Sequence, residues 1–543
     1  MSKQENVLRR SANLTEDSSI SGAVRHGKCA GTQTRRSFVR GTIAAGIAGI
    51  GLSSTAAGAS DTADEYGYED VVNVVDAGAD NTGEESITPV LEDARSDNTL
   101  FYFPPGEYYM DSQFRFTNFE KFGVFGEDAT LVPANYYDFD GPRYRLFRLG
   151  TQSRPGKDVR FEGFTVDQTA PDTGIRVIDT YASDNLEVRD VLVRGEHDSG
   201  TWGPGHFNVS DPDGTGIVER FRAPDGGAWV HDTPHDGNAW RGPIGIEANQ
   251  NKGTLTFRRC WTGAFPSHGL YACNGSGKIV VLGGWFRNAN GSNIRIGGRD
   301  SEIRHPTIEV DSTRDDDQSQ RGIRVEKCDN VLVRGPIIRI SSPMPTSRAI
   351  AVMNSCKKAR IEGGSIEMSG DKINHGIVIS QDAGEVTIED TEILHRTAGG
   401  YPVWIRGEDR SDRVHLRNVS ITGEAGAASG FRDAIRCERN DSRFSYCEVD
   451  QTGRDGVDRN GLVTTGNDTT VYRSEIRAER FPYVDQGNAN LVLRGDFESH
   501  RNDVAAVRLY PDVSNPRLRR SRLINGVDDL GATNLETFRN TFK

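Results

Sequence analysis

From about Asp158 onward, apolar and polar residues alternate in four-residue cores that recur mostly every ~24 to 32 residues. The cores read Gly174-Ile175-Arg176-Val177, Gly245-Ile246-Glu247-Ala248, Gly269-Leu270-Tyr271-Ala272, Asn293-Ile294-Arg295-Ile296 and Gly322-Ile323-Arg324-Val325. They continue through Ala349-Ile350-Ala351-Val352, Gly376-Ile377-Val378-Ile379, Pro402-Val403-Trp404-Ile405 and Ala434-Ile435-Arg436-Cys437 to Ala506-Val507-Arg508-Leu509. A period of two predicts strands, with the second and fourth positions pointing inward and the first and third outward. A second strand precedes several cores, as in Val331-Leu332-Val333 and Val414-His415-Leu416. No unit can bury its apolar face alone, so the units must stack. The prediction is an all-β fold: a single-stranded right-handed parallel β-helix, or solenoid. A β-sandwich would need hairpin signals every ~8 to 12 residues, and these are sparse.

Two segments precede the repeat. Thr34-Arg35-Arg36-Ser37-Phe38-Val39, the weakly apolar stretch Gly41 to Leu52, and Ala57-Gly58-Ala59 together resemble a twin-arginine export signal. The resemblance implies a leader over residues 1–59 and a mature protein that is secreted or held at the cell surface. No run is long and apolar enough to leave it in the membrane after signal removal. Val72 to Gly83, with the sequence VNVVDAGADNTG over residues 72–83, and Phe103-Pro104-Pro105-Gly106-Glu107-Tyr108 resemble the opening of pectate-lyase-like β-helix domains. That resemblance implies a short N-terminal capping helix (Ser86 to Arg95) over the open end of the coil. Residues 60–157 then form the cap and first rungs, and residues 158–543 the β-helix proper, with a long loop insertion at 196–243.

Composition narrows the function. The chain of 543 residues carries a formal charge of −13, which argues against nucleic acid as a partner. Only 11 of its 65 basic residues are Lys, and Asp (47) exceeds Glu (31); this pattern is expected of a salt-adapted, halophilic-type protein, the alternative being a GC-rich coding bias, which also favours Arg over Lys. The six Cys beyond the leader form no CxxC pair, so a zinc site is disfavoured; an exported chain could form disulfides, and the competing expectation is buried thiols stacked inside the solenoid.

Candidate chemistry follows from stacking. Third positions form a column: Arg176, Glu247, Tyr271, Arg295, Arg324, Ala351, Val378, Trp404, Arg436. Residues preceding the middle cores form another: His268, Ser292, Arg321, Arg348, His375. The second column is useful only if the chain bends where each strand starts. Stacked cations in an acidic protein call for an anion. Arg295, Arg299, Arg321, Arg324 and His268 therefore read as a polyanion-binding stripe, with Arg348 and His375 extending it. The competing reading pairs these arginines with Glu247, Glu302, Glu326 and the run Asp315-Asp316-Asp317. The insertion holds four of 11 His and three of six Trp (Trp202, Trp229, Trp240), suited to stacking on sugar rings as a cleft wall.

Two reactions fit such a groove. In β-elimination from an acidic polysaccharide, Arg324 neutralises a uronate, His268 or Arg295 takes the C5 proton, and Tyr271 protonates the leaving oxygen. In glycoside hydrolysis, Glu247 acts as the acid. Asp315, Asp316 and Asp317 are candidate ligands for Ca2+, against the reading of a solvated acidic loop. Ser267-His268-Gly269-Leu270 and Asn293-Ile294-Arg295-Ile296 resemble rungs of polygalacturonase-type hydrolases, but the paired Asp of that family is missing at Gly242 to Glu247, and Gly297 stands where it has Lys. The expected function is a secreted carbohydrate-active protein cleaving an acidic polysaccharide, by lyase or glycosidase chemistry. The alternative is a non-catalytic surface or adhesion module that binds glycans.

Overall fold

The computed structural model describes residues 67–543 apart from 142, 235–240, 342–343, 346, 408–411 and 455. The leader, Trp240 and His235 lie outside the described residues. The chain winds as a parallel β-solenoid of about 16 turns. One sheet has 16 strands, stacked in chain order from Phe114–Phe116 to Val527–Asp529. The other strands, 32 of them, form a second sheet folded around the rest of each coil. Every strand pairing between rungs is parallel, as in Glu247 opposite Tyr271 and Tyr271 opposite Arg295.

The alternation explains the core. Ile246, Leu270, Ile294, Ile323, Ile350, Ile377, Val403 and Ile435 lie in register one above another, and none is more than 1% exposed. The ladder continues through one cluster of buried apolar side chains along the solenoid. At the N-terminal end, helix Thr88–Ala94 carries Pro89 in its first turn, where the missing N–H costs nothing. It lays Leu91 against the core beside Ile87, both 0% exposed, and covers the first rung. The six described cysteines are buried thiols; Cys328 and Cys356 face each other on neighbouring rungs.

The insertion at 196–243 is not a single loop. Gly205–Val209 pairs with Arg176–Ala182 on one side and with Ile246–Glu247 on the other, while Thr215–Ala223 joins the second sheet. A complete rung therefore lies inside the segment. The excursion proper starts after Ala223 and contains the short 3-10 turn Val230–Asp232.

Candidate functional site

Register sets the site. One outward column of the 16-stranded sheet runs Arg115, Arg148, Asp179, His206, Glu247, Tyr271, Arg295, Arg324, Ala351, Val378, Trp404, Arg436. From Glu247 onward this is the column expected from sequence. Below it, Arg176 is not a member: it lies opposite Arg145, three residues away, and Asp179 takes its place. His206 enters from the rung hidden in the insertion.

The column beginning at His268 shares this outer side. The His268 and Tyr271 rings stack at 5.3 Å and 8°, and Arg295 Nη1 lies 3.0 Å from His268 Nε2. The chain bends at the intervening glycines, which lie against the next rung. A Cβ added at Gly269, Gly322 or Gly376 would sit 2.6, 2.4 or 2.2 Å from a carbonyl oxygen there.

Two polar clusters result. The first surrounds Asp179, which is 1% exposed. Its carboxylate meets Arg145 Nε at 2.6 Å, Arg148 at 2.8 Å, Arg176 at 3.5 Å and His206 Nδ1 at 2.9 Å. Burial alone would raise its pKa, but His206 and the arginines hold it well below the carboxylate range. Arg176 also reaches Glu247 at 3.4 Å, and Asn249 Nδ2 donates to Glu247 Oε1 at 2.7 Å. Asn208 accepts from the Gln250 backbone N–H, which fixes its amide so that Nδ2 donates to His206 Nε2 at 2.8 Å. The Tyr181 hydroxyl donates to Gln250 at 2.8 Å; burial, then Asp179 and Glu247, push its pKa up to about 12. A cavity of about 200 Å³ opens onto these groups, with Arg143 and Trp202 (38% exposed) in its wall. A second, of about 440 Å³, adjoins it along Arg143, Arg148, Tyr181 and Gln250.

The second cluster centres on Glu326, 3% exposed. Arg295 Nε and Arg324 Nε each donate to it at 2.7 Å, and Cys273 Sγ lies at 3.4 Å. The Arg295 guanidinium lies 4.8 Å over the Tyr271 ring. Burial, then Arg295, Arg324 and Arg321, depress the His268 pKa well below its ordinary value. His268 is thus neutral and accepts from Arg295 through Nε2, while Nδ1 is buried without a hydrogen-bond partner. Arg295 holds Nε2, and the surrounding guanidiniums oppose a second proton on the ring, so His268 is poorly suited to act as a base. The ion-pair reading therefore holds for Arg295 and Arg324, which share Glu326. Of the other proposed partners, Glu247 pairs with Arg176, and Glu302 with Lys278 and Arg304.

The remaining expected residues scatter. Arg299 is exposed in the turn after strand Ser292–Gly298, where its charge acts on Asp329 rather than on the column. Arg321 reaches the Gly291 carbonyl at 3.3 Å. Trp229 is 9% exposed beneath the Arg314 guanidinium at 5.1 Å, stapling its loop instead of facing a ligand. Asp317 is buried and accepts from the Arg314 backbone N–H, and Asp316 meets His231 at 3.2 Å, so the acidic run braces the excursion. Arg348 and His375 belong to a third group, farther along the sheet.

Asp179, His206, Tyr181, Arg145 and Arg148 were not singled out from sequence. The signal was present: Gly205-His206-Phe207-Asn208-Val209 has the same alternation as every other core.

No protein-family model and no curated sequence matches the chain. Among solved structures, the pneumococcal surface adhesin PfbA aligns over 74% of this chain and 91% of its own, at 11% identity and a TM-score of 0.40. The catalytic unit of a GH87 alpha-1,3-glucanase from Streptomyces thermodiastaticus aligns over 87% of this chain and 68% of its own (12%, TM-score 0.29). The A-module of the Azotobacter vinelandii mannuronan C-5 epimerase AlgE6 covers 87% and 99% (11%, TM-score 0.29). Each is a likeness of fold.

Proposed function

We propose that this protein is a secreted polysaccharide lyase that acts on an acidic glycan at the Asp179–His206–Glu247 pocket. The observation that carries the reading is the convergence of Arg145, Arg148 and Arg176 with His206 on one buried carboxylate, beside a cavity walled by Tyr181 and Trp202. A uronate carboxylate entering there meets Arg143 and Arg148, which disperse the charge that builds up when the C5 proton leaves. His206 is oriented by Asp179 through Nδ1, which directs Nε2 to the proton once Asn208 gives way. Tyr181 keeps its proton and is placed to protonate the leaving oxygen. Hydrolysis fits less well, because Asp179 stays ionised under its arginines and Glu247, the acid expected from sequence, is engaged by Arg176 at 3.4 Å and Asn249 at 2.7 Å.

A binding-only role is favoured by one observation: the His206 Nε2 lone pair is filled by Asn208. One assay separates the two readings. Size-defined oligouronates are incubated with the full protein, and absorbance of the unsaturated uronate product is followed. His206→Ala and Tyr181→Phe should each lower kcat by ~100-fold or more with little change in KM. Reducing ends released without the absorbance would refute elimination. Binding with no products of either kind would leave the adhesion role standing instead.

A further inference from the structure

Six strands beyond Glu247 on the same sheet, roughly 29 Å at 4.8 Å per rung, the outward column reaches Trp404. Its ring packs with three others, all on the outer side of the sheet. His375 lies 5.1 Å from Trp404 and 5.3 Å from Phe431, and Tyr401 lies 5.3 Å from Trp404 and 5.2 Å from Phe431. Tyr401, Trp404 and Phe431 keep part of their surface in solvent. The Tyr401 backbone N–H donates to His375 Nδ1 at 3.1 Å, and Trp404 Nε1 donates to Glu438 at 3.0 Å. Both bonds hold the rings in place.

Two arginines border this platform. The Arg406 guanidinium sits 4.9 Å from the Trp404 ring centroid. Arg348 stands in register with His375, and its Nε is buried without a hydrogen-bond partner. Neither guanidinium has a carboxylate within ion-pair distance among the described residues. Burial, then Arg406 and Arg324, push the Arg348 pKa down; burial, then Arg348 and Arg406, hold His375 near 3. The two cations act on each other over Ala351 and Val378, which are buried and supply no polar group. A half-buried cation among like charges costs free energy unless an anion joins it.

We propose that this cluster is a subsite for an anionic sugar residue: a uronate unit whose ring packs on Tyr401, Trp404 and Phe431 and whose carboxylate bridges Arg348 and Arg406. The inference rests on the acidic-glycan reading of the pocket and extends it. One chain running along the column would occupy both places, with Tyr271, Arg295 and Arg324 between them. The subsite would select for substrates long enough to reach it.

The test uses the full protein carrying His206→Ala, so that nothing is turned over. Trp fluorescence and calorimetry follow binding of di- and decasaccharide oligouronates, a sulfated oligosaccharide and a neutral glucan of matched length. Arg348→Gln and Arg406→Gln should each weaken decasaccharide binding about tenfold, the loss of one charge-assisted contact. Arg348→Gln should melt no lower than the parent, since an unpaired cation disappears. Unchanged decasaccharide affinity in both variants overturns the subsite. So does an equal loss for the neutral glucan, or binding confined to the sulfated chain. If no glycan is ever cleaved but decasaccharide binding still depends on Arg348, the lyase reading fails and the subsite stands.

Discussion

Asp485 offers the sharpest test of how the core of this solenoid is built. It lies in register with Thr464 and Leu509, positions that point into the coil, and is 1% exposed. Its Oδ1 accepts from Asn490 Nδ2 at 2.6 Å and from the Gly487 N–H at 3.0 Å. Burial outweighs these bonds and raises its pKa from 3.8 to about 6. The folded state therefore binds the proton more tightly than the unfolded chain does. The resulting stabilisation is complete below pH ~4 and fades as the pH climbs through ~6. A gap of about two pH units corresponds to roughly 3 kcal/mol across that window. Asp485→Asn, with no proton to lose, should match the parent near pH 4 and exceed it by about 2–3 kcal/mol at pH 7. Hydrogen exchange at strands Tyr483–Asp485 and Val507–Leu509 reads local opening, which suits a repeat fold that need not unfold in one step. Taking the difference between the two proteins cancels every other carboxylate. A difference that stays constant from pH 4 to pH 7 would refute the reasoning. A difference favouring the parent at pH 7 would mean that Asn490 and Gly487 stabilise the ionised form.

Two further outcomes follow from buried charge. Asp179→Asn strands Arg145 and Arg148, leaving Arg176 only Glu247, and should cost about 3–5 kcal/mol in thermal unfolding; adding Arg148→Met to that variant should recover part of the loss. Arg459 is 0% exposed and donates to the carbonyls of Gly400 (2.9 Å), Phe431 (3.1 Å) and Asp433 (3.1 Å) and to Gln451 Oε1 (2.9 Å), tying together rungs from residue 400 to 460. Arg459→Met should cost about 3 kcal/mol or more and accelerate exchange in the strands around those carbonyls, whereas protection equal to the parent would show that water replaces the guanidinium.

The repeat was legible because an inward position tolerates little besides an aliphatic or small side chain, and that constraint recurs once per turn. It broke down where two frames were equally apolar. In Ile175-Arg176-Val177-Ile178-Asp179, residues 175, 177 and 178 are all buried, so alternation alone cannot decide whether Arg176 or Asp179 continues the Glu247 column. Pairing with Arg145–Leu149 settles it in favour of Asp179. The hidden rung at Gly205–Val209 was lost for a different reason. The excursion after Ala223 separates it from Ile246, so two irregular spacings merged into one apparent insertion, and His206 went with it. Side-chain pairing was the least legible feature. Glu326 lies two residues beyond Arg324 on one strand and meets Arg295 of the rung below, a contact that depends on which way three long side chains bend.

The two sheets together explain why Arg348 and Arg406 are informative while most arginines here are not. On the 32-stranded sheet, charge is neutralised rung by rung. Glu219 takes Arg189 at 2.6 Å as well as Arg220 and Arg258, Arg160 pairs with Glu162 at 2.7 Å and with Glu187, and Glu362 takes Arg334 at 2.6 Å as well as Arg360. Adjacent strands sit ~4.8 Å apart, so a carboxylate one rung away is nearly always within reach of a guanidinium. An acidic chain has carboxylates to spare, and ladder packing readily brings one to a stacked arginine. The same rule operates on the 16-stranded sheet at Asp179 and Glu326. Among the described residues it lapses at Arg348 and Arg406, beside four aromatic rings, where Glu438 is taken by Trp404 and Arg436 instead. Function is then the simpler physical explanation, because an external carboxylate can bind only where the guanidiniums are not already paired.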